Sequence, residues 1–294
     1  MYIFGKLLIA LFVMNLNFMY ASIKVVAAEN FYGKLAETIG GEYVEVYNIM
    51  NSSVDPHSFV SSPRDMKSIN YADIIIYNGS NYDPWIKHLL KLKDKEKNFV
   101  AIDVSLLTDL HYDPNPHIWF DPRTFPRLAQ ELCNLFEKTV STQENSYFSR
   151  NLQKFLIEYE EVLELIEGIR EKHSNVTATS TESVFGHMIK ALGFKSINTR
   201  LQKSIIFGSD ITPQMIIEYK HLCMKKKVNI IYYNQEQVQN KLIYDLLRFA
   251  KSMGIPTIGI SETIPYNKDI VSWLKEYLKD TEKSLEMGIT NEVL

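Results

Sequence analysis

Hydrophobic positions along this chain follow two alternating periods. Short β-branched runs at Ile23–Ala28, Val44–Met50, Asp73–Tyr77, Phe99–Asp103, Val176–Thr179, Val228–Tyr233 and Thr257–Ile260 predict strands. Several are almost wholly apolar, as strands buried on both faces of a parallel sheet must be. Helical spacing fills the intervals at Phe31–Ile39, Pro63–Tyr71, Pro84–Lys91, Thr212–Lys226 and Gln237–Met253. Such alternation predicts an α/β fold whose ligands bind beyond the carboxyl ends of the strands.

One stretch departs from the rhythm. Residues 144–172 hold no strand pattern and no proline, while Phe148, Leu152, Phe155, Tyr159, Val162, Ile166 and Ile169 recur every three or four residues. That is one apolar face of a continuous helix, with Ser141-Thr-Gln-Glu144 resembling a capping box at its start. At ~1.5 Å per residue it spans roughly 43 Å, enough to run along two lobes. A coiled-coil dimer would use the same stripe, but α/β segments flank it on both sides. The chain therefore divides into an N-terminal lobe (22–143), a linking helix (144–172) and a C-terminal lobe (173–294), each lobe a mostly parallel sheet flanked by helices.

The first residues belong to neither lobe. A single charge, Lys6, precedes the apolar run Leu7–Met14, and Asn15 and Asn17 interrupt it before it is long enough to span a bilayer. Residues 1–21 read as a secretory signal peptide cleaved near Ala21, so the mature protein is expected outside the cytoplasm. No cysteine stands near that point, which predicts a freely soluble periplasmic form rather than a lipid-anchored one. Lys plus Arg number 32 against 35 Asp plus Glu, a net charge of −3 that disfavours nucleic-acid binding. Cys133 and Cys223 are too few for a disulfide scaffold or a thiolate metal site. Their neighbours mark both as helix-packing residues of different lobes, so no bridge between them is expected.

Candidate chemistry gathers at two short repeats. Asp55-Pro-His-Ser-Phe59 and Asn115-Pro-His-Ile-Trp119 share the form Asx-Pro-His-x-aromatic. Proline fixes its own φ and disfavours the helical region before it, so each histidine is held on a stiff turn. The aromatic two residues later can anchor that turn. One such histidine is most simply a hydrogen-bonded loop residue; two in the same rare setting point to a metal, because a borderline divalent cation requires a rigid imidazole pair. In the second lobe, Glu182 follows the run Val176–Thr181 and opens a predicted helix, Ser183–Leu192, where an acid also suits the helix dipole. Glu262 follows Thr257–Ser261 with no predicted helix beginning there. Imidazoles from one lobe and carboxylates from the other would make a four-point site in the cleft between them.

Together these residues resemble the solute-binding proteins of zinc and manganese ABC importers. Carrying the resemblance are Val25-Val-Ala-Ala28, Asp55-Pro-His-Ser-Phe59, Pro63-Arg-Asp65, Ala72–Gly79, Asn115-Pro-His-Ile-Trp-Phe-Asp-Pro122, Thr181-Glu-Ser-Val-Phe185, Gly254-Ile-Pro256 and Ser261-Glu-Thr263. It implies two lobes bridged by one long helix, a single metal between them, and ligands at His57, His117, Glu182 and Glu262. The ion would be cargo, handed to a membrane ABC permease by a monomeric receptor that is no enzyme. Glutamate or histidine occupies the third ligand position in such proteins, whereas aspartate is usual at the fourth, so Glu262 departs from the pattern. The His-rich loop of many zinc receptors is also missing; Leu106–Asn115 holds only His111. Two imidazoles and two carboxylates suit Zn2+ or Mn2+, with iron behind them.

The remaining histidines have simpler roles. His88 and His221 lie on helical patterns as surface residues, and His173 ends the long helix, where a cation suits the dipole. His111 and His187 fall near the site in sequence. Two other functions compete. A zinc-dependent hydrolase would need an open coordination position and a base such as Asp210 or Glu236, and no His-Glu-x-x-His segment is present. A surface adhesin could use the acidic face of the long helix.

Overall fold

The computed structural model describes residues 22–51, 59–94, 96–140 and 145–288. The leader, the 141–144 capping box and the Asp55–Ser58 part of the first histidine turn, His57 included, lie outside the described residues. The first half runs β1 (Ile23–Ala27), α1 (Asn30–Gly40), β2 (Val44–Asn48), α2 (Pro63–Tyr71), β3 (Ile74–Tyr77), α3 (Pro84–Leu92), β4 (Val100–Asp103), α4 (Val104–Leu107) and α5 (Thr124–Thr139). Then follow α6 (Asn145–Lys172), β5 (Thr177–Ser180), α7 (Gly186–Ala191), β6 (Lys195–Ser196), α8 (Thr199–Ile206) and α9 (Pro213–Met224). The chain ends with β7 (Ile230–Asn234), α10 (Lys241–Ser252), β8 (Thr257–Ile260) and α11 (Ile270–Met287).

Two parallel sheets result, ordered β2-β1-β3-β4 and β6-β5-β7-β8. The α/β expectation holds, and the strands are apolar on both faces for a visible reason. In β3, Ile74 and Ile76 enter the central core while Ile75 and Tyr77 enter an outer cluster with α2 and α3. In β7, Ile230 and Tyr232 face the central core, and Ile231 and Tyr233 face an outer cluster with α8, α9 and α10. A period of two thus reads as a continuous hydrophobic run because each face has its own helices.

The central core is common to both sheets. It takes α1 and α5 from one side, α7 and α11 from the other, and the stripe of α6 that runs from Phe148 to Ile169, every member of which is buried. Phe31 stacks on Trp273 at 5.9 Å between centroids, and Phe120 lies edge-on to Phe185 at 5.0 Å. Such pairs add about 0.5–1.5 kcal/mol each beyond their buried area, and here they join the two lobes. The α6 stripe is thus satisfied within one chain, which removes the reason for a coiled-coil dimer.

Helix starts are chemically marked. Ser62 and Asp65 form a reciprocal capping box around Pro63, and Asp269 with Ser272 does the same for α11. One sequence expectation is corrected: the helix after β5 begins at Gly186, not Ser183, so Glu182 stands four residues before it in an irregular turn. The dipole explanation for that acid is weakened accordingly, since the effect fades beyond the first turn. Both cysteines are buried and free, Cys133 in the central core and Cys223 in an outer cluster. Among the described residues, no helix is long and apolar enough to cross a membrane.

Candidate metal centre

Three of the four sequence candidates meet. His117 comes from the loop before α5, Glu182 from the turn after β5 and Glu262 from the turn after β8. One ligand atom from each lies within 4.8 Å of the others, and all three side chains are fully buried. Both carboxylates sit just past the carboxyl ends of parallel strands, the position the fold reserves for ligands. His57, the fourth candidate, lies outside the described residues. Its turn's aromatic, Phe59, packs on Trp85 at 4.6 Å.

His117 is oriented from behind. Its Nδ1 is 2.7 Å from Asn115 Oδ1, and the same oxygen accepts the His117 backbone N–H at 3.2 Å. Two donors on one atom identify it as the amide oxygen, so Nδ1 carries the proton and Nε2 is left as the acceptor in the neutral ring. Edge contacts with Trp119 at 5.2 Å and Tyr82 at 6.0 Å hold the ring plane. The anchor role foreseen for Trp119 is therefore met: it is completely buried, two residues past the histidine.

Asn115 also ties the lobes together. Its Nδ2 donates to Ser183 O at 2.9 Å, and its own carbonyl accepts from His187 Nε2 at 3.0 Å. His187 thus reaches the site through Asn115, and burial lowers its pKa. A Cβ at Gly186 would stand 2.6 Å from Asn115 Nδ2, so only glycine permits this approach. His111, the other nearby histidine, instead meets Ser105 Oγ at 3.1 Å. His88 and His221 are exposed, as expected.

The carboxylates have their own holders. Asn234 Nδ2 donates to Glu182 Oε1 and Gln237 Nε2 to Oε2, the latter at 3.0 Å. The Asn234 amide is fixed in turn because its Oδ1 accepts from Glu236 N at 2.9 Å. Below Glu262, the Glu236 carboxylate accepts from Ser261 Oγ at 2.6 Å and from the Glu262 backbone N–H at 3.2 Å. Burial raises the pKa of Glu236, the Ser261 bond opposes that rise, and the neighbouring Glu262 charge adds to it. Glu236 therefore shapes the Glu262 turn. Asn115 was visible in sequence only as part of the histidine motif, while Asn234 and Gln237 carried no pattern at all.

One contact is diagnostic. His117 Nε2 lies 2.6 Å from Glu262 Oε1. With the ring proton on Nδ1, these are two acceptors face to face in a dry site, and only a shared proton or a shared cation makes that favourable. Tyr82 borders the same acidic surroundings: its hydroxyl is buried and has no hydrogen-bond partner among the described residues. Burial, then the charges of Glu262, Glu29, Glu236 and Glu182, push its pKa well up.

Two α/β lobes sharing one core, with a buried histidine from one and two buried glutamates from the other drawn together, define a two-lobed architecture with a candidate cation site. The chain belongs to the family described as ZnuA, zinc-uptake complex component A, periplasmic, whose model matches residues 25–283. Among curated relatives, the metal ABC transporter substrate-binding lipoprotein SsaB of Streptococcus sanguinis is 26% identical over 194 residues. That match spans 60% of this chain and 61% of the relative. The manganese-binding lipoprotein MntA of Bacillus subtilis is 24% identical over 251 residues, 81% of this chain and 79% of that one. The solved structure of the periplasmic zinc binding protein TroA from Treponema pallidum covers 92% of this chain and all of its own length. Its TM-score is 0.73 at 15% identity, a likeness of fold.

Proposed function

We propose that this protein is an extracytoplasmic receptor that binds one divalent transition metal in the cleft and delivers it to a membrane ABC permease. The observation that carries this reading is the 2.6 Å approach of His117 Nε2 to Glu262 Oε1, with a Glu182 oxygen in the same cluster. His57 is the fourth ligand in this reading, joining His117, Glu182 and Glu262. Zinc and manganese both suit the two-imidazole, two-carboxylate set, and the names of the relatives divide between them. The ion is cargo, so the site needs capture and release rather than an open position for a substrate.

Family membership and the shared core support the rest of the reading. Residues 1–21 act as the export signal, and the mature chain works in the periplasm as a monomer with lobes at 22–143 and 173–294 about the 144–172 helix. A net charge of −3 agrees with a receptor that has no nucleic-acid partner. The lobes share one aromatic core, so exchange proceeds by local movement of the cleft turns rather than wide opening. A hydrolase reading is disfavoured by Glu236, whose carboxylate is committed to Ser261 and the Glu262 backbone instead of standing ready as a base.

The test is equilibrium competition with zinc and with manganese on the parent and on His57→Ala, His117→Ala and Glu262→Ala, beside metal analysis of protein from its native compartment. Each substitution is expected to weaken binding by about a hundredfold or more, since losing even a residue that only orients a ligand costs about 10–100-fold. Parent-like affinity in His57→Ala and His117→Ala would overturn the assignment. Affinity should also fall as pH drops, because protons compete for the ligands.

A further inference from the structure

A second group of metal-ligating side chains lies at the far ends of two helices. α6 and α11 run side by side in the same direction, as their cross-links show. Glu161, past the middle of α6, pairs with Lys275 in the first half of α11, and Lys172 pairs with Glu282 near both ends. One turn beyond Glu282 stands Glu286, on the same face of α11. Beside them is His173, whose backbone N–H continues the last turn of α6 by donating to Ile169 O at 2.9 Å.

Donor atoms of His173, Glu282 and Glu286 all lie within 4.8 Å of one another. The His173 Nε2 atom has neither solvent contact nor a hydrogen-bond partner among the described residues. A shielded ring nitrogen without a donor or acceptor partner is a loss the fold would normally avoid. Two carboxylates converge on the same imidazole, with Lys172 paired to Glu282 and Lys279 lining the adjoining groove. Side-chain contact with Glu282, and the nearby Glu286 charge, raise the Lys172 pKa. The cluster therefore brings an imidazole and two carboxylates within reach of one ion.

We propose that His173, Glu282 and Glu286 form a second divalent-cation site, one imidazole and two carboxylates closing the junction of α6 and α11. This donor set takes a borderline transition metal such as zinc, with water completing a tetrahedron. The site is independent of the cleft: α11 rises ~1.5 Å per residue, so Glu282 stands roughly 18 Å beyond its start. It is partly exposed and shares Glu282 with Lys172, so it binds more weakly than the cleft. A bound ion would clasp the two helices whose packing closes the central core.

Calorimetric titration of the purified protein with zinc decides the matter. The parent should show a tight event followed by a weaker one, and H173Q/E286Q should keep the tight event while the weaker one falls at least tenfold in affinity. In His117→Ala, the weaker event should remain while the tight one is lost. A parent with one event only, or a weaker event reduced less than tenfold in H173Q/E286Q, overturns the proposal. Survival of the tight event in His117→Ala would instead count against the cleft assignment, and the H173Q/E286Q comparison would still decide the second site. Both substituted residues sit at helix ends near the surface, and unchanged circular dichroism confirms the fold.

Discussion

The two sheets have the same strand order, and each places a glutamate two residues beyond the end of its first strand. In the N-terminal lobe it is Glu29, after β1; in the C-terminal lobe it is Glu182, after β5. Both are buried beside the point where strand order reverses, where an open α/β sheet offers its crevice. Their neighbours differ. Glu182 receives amide donors from Asn234 and Gln237 and joins the cluster with His117 and Glu262. Neither Glu29 oxygen has a hydrogen-bond partner of good geometry among the described residues: the backbone N–H groups of Glu29 and Asn78 only stand near, and the buried Asp83 carboxyl lies against it. Burial and then the Asp83 charge push the Glu29 pKa well up, against the nearby backbone N–H groups of Glu29 and Asn78. Topology supplies a carboxyl at the crevice twice, and the flanking amides decide which one can serve a cation.

The sharpest way to break this comparison is to neutralise each acid in turn. Glu182→Gln is expected to weaken zinc or manganese binding by about a hundredfold, as loss of a direct charged ligand exceeds the usual cost of losing a residue behind it. Glu29→Gln should leave affinity within about twofold of the parent, because Glu29 stands outside the cluster of His117, Glu182 and Glu262. Competition titrations read both, and comparable losses in the two variants would show that Glu29 also serves the ion.

A smaller effect separates the ways the lobes hold their ligands. Asn115 fixes the His117 tautomer, so Asn115→Ala should cost about 10–100-fold in affinity without removing a ligand. Asn234→Ala leaves Gln237 still donating to Glu182 and should cost less. The reverse order would mean that the carboxylate, not the imidazole, is the ligand most dependent on its support.

Much of this was legible in the sequence, and the gaps have physical causes. Seven strands were readable because burial on both faces leaves unbroken apolar runs; β6 was not, because its two residues are exposed and pair only at an edge. The stripe of α6 was plain, while the regular spacing of Ile270, Trp273, Leu274, Tyr277 and Leu278 in α11 was present but unassigned. His117, Glu182 and Glu262 could be singled out because proline turns and strand ends are local signals. Asn234 and Gln237 could not, since they reach Glu182 across 52 and 55 residues and an amide leaves no periodic trace. Glu29 looked like an ordinary residue after a strand, and only its burial against Asp83 sets it apart.

Contacts between the lobes offer a measurement of intermediate size. Asn30 in α1 donates through Nδ2 to Ile264 O at 2.8 Å and accepts from Ile264 N at 3.1 Å, a buried two-point clasp just past Glu262. Asn30→Ala should lower stability by about 1–3 kcal/mol, the cost of stranding buried polar groups. Denaturant unfolding of metal-free protein reads this directly. If stability is unchanged, the shared aromatic core alone holds the lobes in register.

The slope of stability with pH gives the finest distinction between the two glutamates. Asp83 is pushed up to about 6 by burial, against the backbone N–H groups of Gly79 and Asn78 that favour its charge, and Glu29 is raised well above its ordinary range. A carboxyl whose folded pKa is raised binds its proton more tightly when folded. Its folding penalty is therefore absent below the unfolded value, near ~4–4.5, and grows as pH rises from there through the folded value. Every tenfold difference in proton affinity between the folded and unfolded chain corresponds to about 1.4 kcal/mol. Glu29→Gln removes one of the two titrating groups and gives Asp83 an amide neighbour in place of an acid. Its stability relative to the parent should therefore increase between about pH 5 and pH 8 by about 1 kcal/mol or more. His187, with its lowered pKa, contributes a slope of opposite sign, but it is common to both proteins and cancels in the difference. Thermal midpoints measured with a chelator present keep the cleft out of the comparison. Parallel pH profiles for the two proteins would mean that Glu29 is ionised like any surface acid, and the contrast with Glu182 would then have to rest on donors alone.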